Sequence, residues 1–247
     1  MDPKALIQLL WIAGMACQTV LVLVLLLRKS WRTFPLFSAY SIFNLFSAAF
    51  VYISQTQLRL YFYSYWLAEA IGIGLGFAVL YEIFGHLFSA HPALRKIATL
   101  AFNSALLLFI CMGVIVLVKH SPVGFRGISS AVLVMEEAAR TIEVGVLISL
   151  FLLSTAFGLH WRQQVFGVAL GLGIFAAVEL IAVTMRAETG TTADSLLTVV
   201  RIVAFNASLL IWIGYLLAPE RSAKSTELPE RSQLEQWNQA VMELIRQ

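Results

Sequence analysis

The chain has 247 residues, of which 60% are hydrophobic and 13% are charged, and its net charge is +3. Soluble domains carry about twice this proportion of charged residues, so the composition excludes an ordinary soluble protein and predicts an all-α integral membrane protein. The sequence has no basic stripe with interleaved aromatic residues, which argues against nucleic acid as a partner.

Seven apolar runs follow one another along the chain, and each approaches or exceeds the roughly 20 residues that a helix needs to cross a bilayer. In chain order they are Ala5–Leu27, Pro35–Ile53, Tyr61–Phe84, Ile97–Val118, Ile128–Phe157, Val165–Met185 and Leu196–Leu217. Short connections join them, as is typical of neighbouring helices in a bundle. The pattern predicts a polytopic seven-transmembrane helix bundle over residues 1–218.

The basic residues between the runs predict how the bundle lies in the membrane. Eight lysines and arginines fall on the side of the C-terminus, against five on the side of the N-terminus. Because cytoplasmic loops carry the excess of basic residues, we expect the N-terminus outside and the C-terminus in the cytoplasm. The expected location is the cell (inner) membrane, with the lipid bilayer as the first partner.

Residues 219–247 form a predicted cytoplasmic tail whose second half has a helical pattern. Apolar residues recur there every three or four positions, at Leu234, Trp237, Val241 and Leu244. Acidic residues outnumber basic ones around this stripe, whereas a helix lying on a membrane surface carries excess lysine and arginine. We therefore expect the tail to contact a protein, either a cytoplasmic partner or the bundle itself. An inert tail is the alternative.

Ionisable side chains interrupt four of the predicted helices, which is costly in a bilayer and marks either a packing device or a functional site. They are Glu69 and Glu82 in the third helix, Glu136, Glu137, Arg140 and Glu143 in the fifth, Glu179 in the sixth and Arg201 in the seventh. At about 1.5 Å per residue, all of them except Glu82 fall roughly 8 to 22 Å from the outer ends of their helices. The sequence therefore predicts one charged cluster in the outer half of the bundle.

The fifth predicted helix orders its charges along one face. Glu136, Arg140 and Glu143 follow i, i+4, i+7 spacing, so they can pair along the helix, while Glu137 is i, i+3 from Arg140. Two arginines against five carboxyls in the cluster leave an excess of negative charge. Protonated carboxyls, a bound cation and a water-filled vestibule each account for that excess, and the sequence does not choose among them.

A second group, Glu82 and His86, has i, i+4 spacing at the end of the third helix, with His91 and His160 in loops on the same side. These histidines do not form a metal-ligand pattern, and we expect them to cap helix ends. The two cysteines, Cys17 and Cys111, fall in the middle of apolar runs and indicate no disulfide framework or metal site. The sequence predicts no cofactor.

Small and amide residues predict how the helices pack. The spacings Gly72-x-x-x-Gly76 and Gly167-x-x-x-Gly171 place small residues on one helix face, which allows close approach of a neighbouring backbone. Amide side chains are expected to form hydrogen bonds between helices at Asn44, Asn103 and Asn206.

Three segments, Tyr81-Glu82-Ile83-Phe84, Phe166-Gly167 through Gly173-Ile174-Phe175, and Trp212-Ile213-Gly214-Tyr215, resemble a group of uncharacterised bacterial seven-helix membrane proteins. The resemblance covers most of the chain and implies the fold but no activity. A retinal protein is excluded because residues 196–217 contain no lysine for a Schiff base. The stretch from Glu136 to Arg140 is one residue short of the Glu-Glu-x-x-x-Arg motif of membrane prenyl proteases, and the membrane histidines of that motif are absent.

These observations favour a receptor-like or sensor-like protein that binds a small polar or cationic ligand in an outward-facing charged pocket and signals through a cytoplasmic partner. The candidate ligand-binding residues are Glu69, Glu136, Glu137, Arg140, Glu143, Glu179 and Arg201. The alternative is a small or proton-coupled carrier that uses the same buried network. A membrane-embedded lipid-modifying enzyme comes third, because the sequence contains no nucleophile, base and metal constellation. Ion pairs that serve helix packing alone also remain open.

Overall fold

The computed structural model describes residues 3–54, 56–89, 125–156, 163–189 and 194–218, with isolated positions beyond these ranges. Six α-helices lie within them: α1 (Pro3–Leu27), α2 (Pro35–Ser54), α3 (Leu58–Leu87), α4 (Phe125–Ala156), α5 (Gln163–Thr189) and α6 (Asp194–Leu217). A single 3-10 turn, Ser30–Arg32, connects α1 to α2. The described residues contain no strand, so the all-α prediction is confirmed for this part of the chain.

Five of these helices are long and apolar enough to cross a membrane, over the segments Ala5–Leu27, Pro35–Ser54, Arg59–Leu87, Gln163–Met185 and Leu196–Leu217. Large apolar side chains such as Leu27, Phe46 and Ile53 point outward and are mostly exposed, which suits contact with lipid. The predicted helix Ile97–Val118, the loop histidines His91 and His160, and the tail 219–247 all lie outside the described ranges. The seven-helix count and the orientation therefore stay predictions.

The described helices form a closed ring. Each helix contacts the next one in chain order, α6 returns to α1, and α3 also reaches α5 across the ring. At one end of the ring the Arg28 guanidinium donates a 2.8 Å hydrogen bond to the Leu216 carbonyl, so α1 and α6 finish side by side. We name the other end, where α1 begins, the N-terminal end of the bundle.

Helices α3 and α4 run in the same direction. Glu69 of α3 pairs with Arg140 of α4, and further along both helices Gly76 lies against Glu143. Contacts that advance together along two helices indicate a parallel pair. Consequently α1, α3, α4 and α6 all begin at the N-terminal end of the bundle, and α2 and α5 finish there.

The tightest packing lies between α5 and α6. A Cβ atom at Gly171 would overlap the Trp212 indole, and one at Gly167 would overlap the Tyr215 side chain. The Trp212 indole nitrogen donates a 3.2 Å hydrogen bond to the Val168 carbonyl, and its ring meets Phe37 of α2 edge-on at 5.1 Å between centroids. The close approach predicted from this glycine spacing is confirmed.

The glycine pair of α3 behaves differently at its two positions. A Cβ atom at Gly76 would lie 2.6 Å from the Glu143 Oε1 atom, so the absence of a side chain there makes room for a carboxyl group. At Gly72 no described residue lies within 4 Å of the corresponding point, and this glycine lines a cavity. The packing interpretation is therefore confirmed for Gly76 and stays a prediction for Gly72.

Glu82 caps the start of α2. Its two carboxylate oxygens accept hydrogen bonds from the backbone N–H groups of Leu36 at 3.0 Å and Phe37 at 2.9 Å. Pro35, the first residue of α2, has no N–H to satisfy, so these are the first two donors of the helix. A carboxylate here also complements the positive end of the helix dipole. Glu82 thus fastens α3 to α2.

His86 reinforces the same junction. Its Nε2 atom donates a 2.8 Å hydrogen bond to the carbonyl of Thr33, and its ring lies 4.8 Å from the Phe34 ring. Both partners belong to the turn that leads into α2. The prediction that His86 interacts with a helix end is confirmed, because its partners immediately precede α2.

Removal of the Glu82 cap should destabilise the fold. In Glu82→Ala the Leu36 and Phe37 N–H groups lose their acceptor in a buried setting, so we expect a loss of about 1–3 kcal/mol in the free energy of unfolding. Glu82→Gln retains one acceptor oxygen and should lose less. Denaturant titration of the protein in detergent micelles measures both values. Equal losses in Glu82→Ala and in the half-buried control Glu137→Ala would contradict the capping role.

Candidate ligand-binding site

One cluster of charges centres on Arg140, which is buried within α4. Its Nη1 atom lies 2.8 Å from the Glu143 Oε2 atom, one turn further along α4, and its Nη2 atom lies 3.2 Å from the Glu69 Oε1 atom of α3. The guanidinium carbon stands 5.3 Å from the centre of the Phe175 ring of α5. We call Arg140, Glu69 and Glu143 the Arg140 clamp. It joins α3 to α4.

A second cluster centres on Arg201 of α6. Its Nη2 atom lies 3.1 Å from the Glu136 Oε1 atom of α4 and 2.5 Å from the Glu179 Oε2 atom of α5. We call Arg201, Glu136 and Glu179 the Arg201 clamp. Because its members come from three helices, this clamp fixes α4, α5 and α6 relative to one another.

The structure brings six of the seven predicted residues together, but it changes one expected pairing. Glu136 shares a face of α4 with Arg140, yet it pairs with Arg201 of α6. Glu137 lies half-buried on α4 and forms no ion pair with another described residue. Its prediction as a site residue finds no support in the geometry of the described residues.

The two clamps hold more acid than base. Glu136, Glu143 and Glu179 are 2%, 0% and 3% exposed, so bulk water does not solvate their charges. If all six groups of the clamps are ionised, each arginine faces two carboxylates and each clamp retains one negative charge. Unpaired charge in such surroundings is strongly unfavourable. Within the described ranges, no three His, Cys, Asp or Glu residues converge in a way that could hold a metal ion.

A cavity of about 660 Å³ lies beside both clamps. It is lined by residues of α1, α2, α3, α5 and α6, and it belongs to the N-terminal half of the bundle because it meets the early parts of α1, α3 and α6 and the late parts of α2 and α5. Its charged lining residues are Glu69 of the Arg140 clamp and Glu179 and Arg201 of the Arg201 clamp. Each clamp therefore presents one carboxylate to this cavity.

Aromatic side chains make up much of the remaining wall. Seven of the lining residues are aromatic, namely Trp11, Tyr61, Phe62, Tyr65, Trp66, Phe175 and Phe205. Tyr61, Tyr65 and Trp66 also contact one another, with ring centres 5.1 to 6.3 Å apart along this series. Carboxylates and aromatic faces in one cavity are the groups that attract organic cations.

A smaller cavity of about 250 Å³ adjoins the first and shares seven lining residues with it, including Asn44, Tyr65 and Glu69. Its own lining adds Tyr40, Gly72 and Arg140. Along α3, Gly72 lies three residues beyond Glu69, the last α3 residue in the wall of the large cavity. This spacing corresponds to roughly 4.5 Å of helix axis, so on this side the smaller cavity extends a little further from the N-terminal end.

Two lining residues of the large cavity carry a buried oxygen atom that accepts no hydrogen bond from any described residue. They are Gln18 with its Oε1 atom and Asn206 with its Oδ1 atom. The other ends of the two amides are occupied: the Gln18 Nε2 atom donates to the Ser41 carbonyl at 2.6 Å, and the Asn206 Nδ2 atom donates to the Leu10 carbonyl at 3.0 Å. Both unpartnered atoms are acceptors.

The sequence did not predict that α1 lines the cavity. Trp11 and Gln18 line the cavity from α1, within the uncharged run Ala5–Leu27. The signal available for Gln18 was a polar residue in the middle of a span, of the same kind as the predicted interhelical amide Asn206. For Trp11, the sequence offered no comparable signal.

Comparison with known proteins gives no further assignment. No family model, no curated protein and no solved structure matches the chain. The resemblance to bacterial seven-helix membrane proteins gains no support from these comparisons.

The Arg201 clamp makes a direct prediction for stability. In Arg201→Met the buried carboxylates of Glu136 and Glu179 lose their shared cation, and the free energy of unfolding should fall by about 3–5 kcal/mol. Adding Glu136→Gln and Glu179→Gln to this variant removes the uncompensated charges and should restore part of the loss. Unfolding in detergent micelles, followed by tryptophan fluorescence, gives the values.

The prediction requires the triple variant to be more stable than Arg201→Met. A triple variant that is no more stable than Arg201→Met alone would contradict the claim that the carboxylates depend on this arginine. Glu137→Gln, which alters a carboxyl group outside both clamps, provides the control.

Proposed function

We propose that this protein is a receptor-like or sensor-like membrane protein that binds a small organic cation in the large cavity. The observation that carries the proposal is one cavity of about 660 Å³ that combines seven aromatic side chains with the Glu69 and Glu179 carboxylates. Its volume falls within the roughly 300–1,000 Å³ of small-molecule sites. The clamps behind it are short of positive charge, and a ligand cation supplies what they lack.

The ligand joins two parts of the ring. Glu69 stands on α3, whereas Glu179 and Arg201 stand on α5 and α6. A cation bound between them adds an attraction across the cavity that the empty protein lacks, so it favours the arrangement in which α3 is drawn toward α5 and α6. A ligand shifts such an equilibrium by its difference in affinity for the two arrangements.

The proposed topology has seven spans, with Ile97–Val118 as the span between α3 and α4. It is supported by the parallel direction of α3 and α4, since α3 ends away from the N-terminal end of the bundle and α4 begins at it. With the N-terminus outside a cell (inner) membrane, the large cavity lies in the outer half. The tail over residues 219–247 then faces the cytoplasm, where its apolar stripe contacts the signalling partner.

Binding of a simple cation tests this proposal. Purified protein in detergent micelles is titrated with butylammonium and with 1-butanol, a neutral molecule of similar size, and affinity is followed by thermal shift and calorimetry. Butylammonium should bind and raise the melting temperature, whereas 1-butanol should not. Glu179→Gln should weaken butylammonium binding roughly tenfold or more, the effect of losing one charge-assisted contact.

Glu137→Gln is the matched control, because Glu137 lies on α4 but lines neither cavity. Equal binding of the amine and the alcohol, or an unchanged affinity in both Glu179→Gln and Glu69→Gln, would refute a cation site in this cavity.

A carrier is the second candidate, favoured by the smaller cavity. That cavity adds Tyr40 and Arg140 to the wall that it shares with the large cavity at Glu69, which extends the row of polar groups by about one helical turn. A carrier requires access from both sides, whereas a receptor requires access from one. Counterflow of labelled butylammonium in proteoliposomes separates the two functions. Accumulation against a preloaded unlabelled pool would establish the carrier, and binding without exchange would establish the receptor.

A further inference from the structure

The negative charge of the two clamps is divided equally between them. In the Arg140 clamp one guanidinium serves Glu69 and Glu143, and in the Arg201 clamp one guanidinium serves Glu136 and Glu179. With all groups ionised, each clamp therefore lacks one positive charge. A ligand with a single ammonium group can neutralise the negative charge of one clamp, and the other clamp then keeps its negative charge.

Each clamp contributes one carboxylate to the wall of the same cavity. Glu69 and Glu179 both line the large cavity, whereas their clamp partners Glu143 and Glu136 do not. The two lining carboxylates reach it from different helices, α3 and α5. Two carboxylates that different helices contribute to one cavity match a ligand that carries a positive charge at each end.

The unpartnered polar atoms indicate which kind of positive charge fits. Gln18 is 3% exposed, and its Oε1 atom has no hydrogen-bond partner in the described part of the chain. The Oδ1 atom of the half-buried Asn206 likewise has no partner there. Both residues line the large cavity, and both free atoms are acceptors. A primary ammonium group carries three N–H donors and no acceptor. A quaternary ammonium group has no N–H to offer these oxygens.

The middle of the ligand is constrained by the aromatic wall. Tyr65 and Phe175 line both cavities beside Glu69, and rings at such positions favour contact with apolar groups as well as with cations. A short methylene chain satisfies this surface without adding a polar group that would need a partner.

We propose that the large cavity binds a linear primary diamine or polyamine in its dicationic form. One ammonium group pairs with Glu69 and the other with Glu179, the methylene chain lies on the aromatic wall, and the remaining N–H groups reach the Gln18 and Asn206 oxygens once these side chains turn toward the ligand. The assignment rests on the proposed function and narrows its ligand from organic cations in general to dications with two primary ends.

The test compares 1,4-butanediammonium with butylammonium, which differs by one ammonium group, on the full-length protein by calorimetry. The diammonium should bind roughly 10- to 100-fold more tightly, the gain expected from a second charge-assisted contact. Diammonium ions of three to eight carbons should show an affinity maximum at one chain length, because both ends must reach their carboxylates.

Each carboxylate should account for one end. In Glu69→Gln and in Glu179→Gln the advantage of the diammonium over butylammonium should shrink to within about twofold, whereas Glu137→Gln should retain it. Melting temperatures of the empty variants establish that they are folded. If one substitution prevents folding, the other variant still tests the assignment, together with the comparison of the two amines on the unaltered protein.

The outcomes separate the two proposals. If butylammonium binds as tightly as the diammonium and depends on Glu179, the cation site stands and the dication assignment is wrong. If neither amine binds, the proposed function itself fails. A diammonium advantage that survives both Glu69→Gln and Glu179→Gln would place the second contact elsewhere and would also overturn the assignment.

Discussion

Two arginines buried in an apolar helix bundle, each shared by two carboxylates, are the constraint on which this structure depends. A charge inside a bilayer is costly unless it is paired or faces a water-filled cavity, so each guanidinium restricts where its carboxylates, and hence their helices, can lie. Arg201 holds Glu136 and Glu179 and so ties α6 to α4 and α5. Arg140 holds Glu69 and so ties α4 to α3. Apolar contacts between helices are non-directional and would not select this arrangement by themselves.

The sharing of each arginine connects the packing of the bundle to its chemistry. A bundle held by equal numbers of acids and bases would be complete without a ligand. Here Glu69 and Glu179 each compete with a second carboxylate for one guanidinium, and each stands at the wall of the large cavity. The same side chains that hold the helices together thus attract positive charge from the cavity. A cation that enters it changes the balance of forces between α3, α5 and α6, which is the property that a sensor requires.

Much of the bundle follows from the sequence, for identifiable physical reasons. Five spans are evident because an apolar run of this length has few other uses, and the charged cluster is evident because helical rise converts residue number into depth. The pairing within the cluster did not follow. Glu136 shares a face with Arg140 but pairs with Arg201, since the choice depends on how α6 approaches α4. Glu82 was grouped with the histidines by its spacing from His86, yet it caps α2 through contacts with residues 46 and 45 positions away. Trp11 and Gln18 could not be found from charge, because α1 has none near them.

The most direct test of the central claim is an experimental structure of the full-length protein in a lipid nanodisc with 1,4-butanediammonium. The account predicts a ligand in the large cavity, with one nitrogen at hydrogen-bond distance, about 2.7–3.2 Å, from the Glu69 carboxylate and the other from that of Glu179. A large cavity that holds a lipid chain or remains without the diammonium at saturating concentration, with both clamps unchanged, would contradict it and would leave the clamps as devices of helix packing.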